Sequence, residues 1–97
     1  MARKIVWSAN AHRERLEILA YWRERNGSDR YGEKLDAKFR AALRLIAAHP
    51  KLGRTTSDPT VRVKSVGEHQ LFYAPTDPEI HVLSIWHGRR DPTARPF

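Results

Sequence analysis

The chain has 97 residues, 40% of them hydrophobic, with three Trp, three Tyr and three Phe, which suffices for one modest core and exceeds what a disordered segment carries. It has no cysteine, so disulfides, thiol catalysis and thiolate zinc sites are excluded, and its five histidines lack metal-type spacing. No apolar run is long enough for a bilayer and MARKIVWS lacks the apolar stretch of a secretory signal, so one cytoplasmic domain over 1–97, with no membrane contact and no cofactor, is expected.

KIVW, at 4–7, is β-branched and aromatic and predicts a first strand, with Ser8 placed to cap the helix that follows. From Ala9 to Asn26, Leu16, Leu19 and Ala20, and Ile18 and Trp22, recur at helical spacing, and Asn26-Gly27 supplies a left-handed stop. Ser28-Asp29 restarts a helix whose apolar residues Tyr31, Leu35, Phe39, Ala42 and Ile46 form the cleaner stripe before Pro50 ends it. The Gly27-Ser28 joint makes the two helices an antiparallel hairpin that needs a sheet to bury against. After the loop KLGRTTSDPT come VRVKSV (61–66), HQLFYA (69–74) and IHVLSIW (80–86), whose short connections predict an antiparallel meander. The last of these is apolar on both parities, as an inner strand is. The expectation is a two-layer α+β domain of order β-α-α-β-β-β, with a helical hairpin on one face of a mainly antiparallel four-stranded sheet.

The formal charge is +7 and the pI near 10.4, which favours an acidic partner, either a nucleic acid or an acidic protein segment. The charge is concentrated: from Ala37 to Gly67 there are seven bases (Lys38, Arg40, Arg44, Lys51, Arg54, Arg62, Lys64) against one acid, Asp58. If Val61 and Val63 cover the helices, strict alternation puts Arg62 and Lys64 on the opposite face, open to a phosphate backbone. His81, Leu83, Ile85 and His87 share one parity, so both histidines are expected on one face. RNA cleavage through a 2′-hydroxyl needs a base, an acid and a cation beside the phosphate, roles that Arg62, Tyr73, His87 and Arg89 could fill. His81 also reads as a hydrogen-bonded surface residue, and Trp7, Trp22 and Trp86 as core aromatics.

IVWS at the first strand, Tyr21-Trp22, HPKLGR after the second helix, VRVK, and LFYAPTDPEIHVLSIWHGRRDP together resemble the RelE/ParE superfamily of bacterial type II toxin-antitoxin toxins. The resemblance covers nearly the whole chain, and its HGRRD ending is similar to the ParE branch. It implies a toxin that inhibits DNA gyrase and replication, or, in the RelE branch, a ribosome-dependent mRNA endoribonuclease. Either toxin would be neutralised by a cognate antitoxin through an acidic, partly disordered segment, and would meet operator DNA only through that antitoxin. Arg54, Arg62, Lys64, His87, Arg89 and Arg90 are the expected target or nucleic-acid contacts, and Leu16, Leu19, Trp22, Phe39 and Leu43 the expected antitoxin contacts. The ribonuclease branch usually adds lysines before the second strand and a tyrosine near the C-terminus. Lys51 and Lys64 only partly supply the first, and no tyrosine follows Tyr73.

Overall fold

The computed structural model describes residues 2–88, so Arg89 and Arg90, with the rest of the HGRRDP ending, lie outside the described residues. The elements are β1 (Lys4–Trp7), α1 (Ala9–Asn26), α2 (Arg30–Ala48), β2 (Arg54–Thr55), β3 (Arg62–Val66), β4 (His69–Pro75) and β5 (Glu79–His87). They build one sheet of order β1-β5-β4-β3-β2. The meander β3-β4-β5 is antiparallel. β1, whose place the sequence leaves open, runs parallel to β5, from Lys4 opposite Glu79 to Trp7 opposite Val82. The sheet has five strands rather than four, because Arg54 and Thr55 pair with Val63 and Arg62 inside what reads as a loop. Two residues are too few to leave a periodic trace.

Both helices lie on one face. Ser8 accepts from the Ala11 amide as the cap of α1, and Gly27, at φ 68°, ends it with its amide on the Arg23 carbonyl. α2 buries Leu35, Phe39, Ala42, Leu43 and Ile46 against Val66, Leu71, Tyr73, Ile80, Val82 and Ile85 of the sheet. Tyr31, expected in that stripe, is exposed and packs its ring on Trp22, centroids 4.6 Å apart. The opposite face of the sheet carries a second apolar cluster, Val61, Val63, Phe72 and Trp86 with Leu83 against it.

That second cluster overturns the expected placement of the cations. Val61 and Val63 turn away from the helices, so Arg62 and Lys64 share the helix-side parity with Val66. Arg62 and Lys64 stay partly exposed on β3, so bases tolerate the helix-side positions there while Val63 pairs with Phe72 on the other face. A second expectation fails for a different reason. Phe72 faces Ser84 but the next residue, Tyr73, faces Val82, so β5 carries an extra residue in a bulge. The slip reverses the alternation. His81 therefore falls on the face away from the helices and His87, opposite His69, on the helix side.

The bulge sits where β1 ends, and there α1 completes the sheet edge with side chains. The Ser8 hydroxyl and Asn10 Nδ2 both donate to the Leu83 carbonyl, at 3.2 and 3.1 Å. Glu14 Oε1 accepts from Ser84 Oγ at 2.7 Å and from the Ile85 amide at 3.2 Å. One residue on, Arg15 grips Asp36 of α2 with two bonds of 2.6 and 2.8 Å and lies 5.1 Å over the Trp7 ring. This fork lowers the Asp36 pKa and raises that of Arg15, in both cases chiefly through the hydrogen bond. Removing an acceptor strands buried donors, which costs about 1–3 kcal/mol. Glu14→Ala is therefore expected to lower the unfolding free energy by about 2 kcal/mol in urea titrations. Glu14→Gln, which keeps an acceptor oxygen, should be clearly milder.

Candidate functional site

Past the Glu14 contact, α1 and the end of the β4–β5 pair diverge and leave a groove of about 690 Å³. Its helix wall includes Ile18, Tyr21 and Trp22, and its sheet wall Glu68, His69, Ile85 and His87. The Trp22 ring meets Tyr21 edge-on at 5.0 Å as well as Tyr31, so three rings form one surface at the tip of the helical hairpin. Leu16 and Tyr21 are about half exposed, 51% and 53%, which is high for side chains of that size and marks α1 as a surface with apolar area to offer.

His69 closes the floor of the groove. It is 3% exposed, and its Nδ1 has no hydrogen-bond partner. The ring sits edge-on to Phe39 at 5.4 Å and to His87 at 5.0 Å. Burial lowers its pKa below the usual 6.5, the neighbouring His87 lowers it further, and Glu68 opposes both. His87 is exposed at the strand end, with Nε2 3.7 Å from the Glu68 carboxylate. Nothing in the sequence singles out His69, because a histidine opening HQLFYA carries no sign of its burial; only the register that sets it opposite His87 reveals the pair.

Tyr73 and Arg62 lie elsewhere, at the far end of β4. Four residues along a strand separate Tyr73 from His69, roughly 13 Å at about 3.3 Å per residue. The Tyr73 hydroxyl is fully engaged: it accepts from the Gly53 amide and donates to the Pro50 carbonyl, both at 2.8 Å. The ring is fully buried, and burial raises the hydroxyl's pKa, offset in part by the Gly53 amide and by Arg62. A Cβ at Gly53 would lie 2.8 Å from both that hydroxyl and the Val63 carbonyl, so the loop can come this close only with glycine. Arg62 donates to the carbonyls of Gly53 at 2.7 Å and Lys51 at 3.4 Å.

The expected site residues are thus dispersed. Arg62 and Tyr73 are neighbours, opposite each other across β3 and β4; His87 is at the other end of the sheet; Arg54 is exposed on β2; Lys64 lies between, its Nζ 3.4 Å from the Ser65 carbonyl. Of the expected antitoxin contacts, Leu16, Leu19 and Trp22 reach the surface, whereas Phe39 and Leu43 are 0% and 1% exposed. Those two belong to the core stripe of α2, which the sequence could not distinguish from an outward apolar face. Among the described residues, no group of three or more His, Asp or Glu is placed to hold a metal ion.

The family described as ParE toxin of type II toxin-antitoxin system, parDE, matches residues 5–92. The chain belongs to the ParE toxin family. No curated protein matches it. Among solved structures it is similar to one titled "Chromosomal ParDE TA system from P. aeruginosa", with a TM-score of 0.77 and 16% identity over 91% of this chain and 98% of that one. At that identity the likeness concerns the fold: a helical hairpin on one face of a mixed sheet is the ParE architecture, and the match extends to nearly all of both chains.

Two measurements bear on these side chains. Tyr73→Phe leaves the Gly53 amide and Pro50 carbonyl without their partner, so a loss of about 1–3 kcal/mol of stability is expected in chemical denaturation. The folded chain also binds a proton at His69 more weakly than the unfolded chain does. Its stability should therefore be insensitive to this group above about pH 6.5, fall as the pH drops below that value, and level off once the folded-state ring is protonated. His69→Phe should flatten that decline in melting temperatures taken across the range.

Proposed function

We propose that this ParE-family protein is the toxin of a type II pair, acts by binding DNA gyrase rather than by cutting RNA, and is held inactive by a cognate antitoxin in the cytoplasm. The observation that carries the choice is the state of Tyr73. A tyrosine that serves as acid or base must reach its substrate with a free hydroxyl; this one is buried and spends both hydrogen bonds on the 50–53 loop. With Arg62 tied to the same loop and His87 at the other end of the sheet, no described trio of base, acid and cation converges on one phosphate. A binding mechanism needs no such convergence, only surface, and the aromatic tip around Trp22 and the exposed His87 end provide it.

The antitoxin reading rests on α1. An amphipathic segment with acidic residues fits a chain of this charge, and Leu16, Leu19, Tyr21 and Trp22 present the apolar area such a segment covers when it folds on binding. Expression of the protein alone should arrest growth and produce gyrase-linked DNA breaks, with transcripts intact by primer extension. Cleavage of transcripts at ribosome-protected codons, abolished by His87→Ala, would instead establish the ribonuclease.

A further inference from the structure

A cleft lined by bases lies at the other end of β4 from the groove. The C-terminal end of α2 and the near margin of the sheet border this open cleft of about 800 Å³. Arg3 stands at one side, Arg62 at the other, and His49 and Lys51 above them; no acidic residue lines it among the described residues. Its remaining walls are short or stiff, with Pro50, Pro59 and Pro75 among them.

How the two arginines are held separates a binding site from a chance grouping. Arg13, Arg15, Arg23 and Arg40 are held by carboxylates, and what sets Arg3 and Arg62 apart from the other arginines outside such pairs is that both line one acid-free cleft and are fixed there by backbone carbonyls. Arg3 donates to the Thr76 carbonyl at 2.6 Å and Arg62 to the carbonyls of Gly53 and Lys51. Neutral carbonyls fix the guanidinium heads without cancelling their charge, and free donors of each fork remain for a ligand. Service to the helix end does not explain them. Two carbonyls of the last turn of α2 are met by backbone amides, Ala47 by Arg3 N and Leu45 by His49 N, and the side chains of Arg3 and Arg62 donate to carbonyls outside that helix.

We infer that this cleft binds the phosphodiester backbone of a nucleic acid, with Arg3, Lys51 and Arg62 contacting phosphates. Fixed forks at both sides of one concave, acid-free surface suit a polymer with phosphates at regular intervals. Leu52, 44% exposed at the rim, offers an apolar rest for a sugar or base. The inference does not depend on the gyrase reading, which is judged by DNA breaks in cells, whereas this one is judged on the isolated protein.

The test is fluorescence anisotropy with a labelled single-stranded oligonucleotide across a salt series, comparing the full chain with R3Q/K51Q and with the charge-matched K34Q/K38Q on the exposed side of α2. R3Q/K51Q should bind at least about ten times more weakly at low salt and lower the salt slope by about 1.4, at about 0.7 for each phosphate of a single strand that is no longer neutralised. K34Q/K38Q should stay within about twofold of wild type, since those residues would touch no phosphate. Unchanged circular dichroism would exclude misfolding, and R62K, which keeps the charge but not the fork, should weaken binding without changing the fold. Equal losses in the two double variants, or no binding by wild type, would overturn the inference. Complete displacement by inorganic phosphate at matched total phosphate would reassign the cleft to a free anion, and tighter binding of polyglutamate through the same residues would reassign it to an acidic protein segment.

Discussion

The way β5 is finished governs this fold. β1 pairs only as far as Val82, yet β5 runs on to His87, and a central strand with one edge left bare would hold unpaired amides and carbonyls beside the core. Side chains of α1 meet that need. Ser8 and Asn10 take the Leu83 carbonyl, and the Glu14 carboxylate takes the Ser84 hydroxyl and the Ile85 amide. The helix is thereby fixed against the strand by polar contacts at its first half, while its second half packs Ile18 and Trp22 against the core and forms one wall of the groove over His69 and His87.

This explains why the two helices differ so much in their sequences. α2 is held by hydrophobic burial, and its stripe of Leu35, Phe39, Ala42 and Ile46 can be read directly from spacing. α1 buries only Ala11 completely. Its inner side also holds Asn10, Glu14 and Arg15, polar groups whose partners are strand backbone and the Asp36 carboxylate, so apolar periodicity finds Ile18 and Trp22, which pack against the core, beside the exposed Leu16, and passes over the polar contacts. The fold class, the hairpin, the meander and the inner position of β5 were legible because each follows from burial or turn chemistry. The site was less so. Which face Arg62 and Lys64 occupy depended on Val61 and Val63 choosing Phe72 over the helices, and the separation of His81 from His87 depended on one inserted residue, neither of which alternation alone reveals.

The two ends of the sheet divide their work. At one end, Tyr73 is spent on holding the 50–53 loop against β3, which fixes Arg62 and shapes the cationic cleft. At the other, aromatic rings and a buried imidazole line a mixed groove that faces α1. A small domain can keep two such surfaces because a core residue, Leu71, stands between His69 and Tyr73 on β4.

The bulge in β5 bears on how relatives of this protein should be compared. Since the side on which the strand's last residues emerge is decided by a one-residue difference in chain length between Val82 and Ser84, two family members could share the letters I-W-H of the strand end and yet aim the histidine in opposite directions. Homology of that ending is then a matter of how many residues precede it from the pairing with Trp7, and an alignment that closes the gap for the sake of matching letters would equate positions that never occupy the same space.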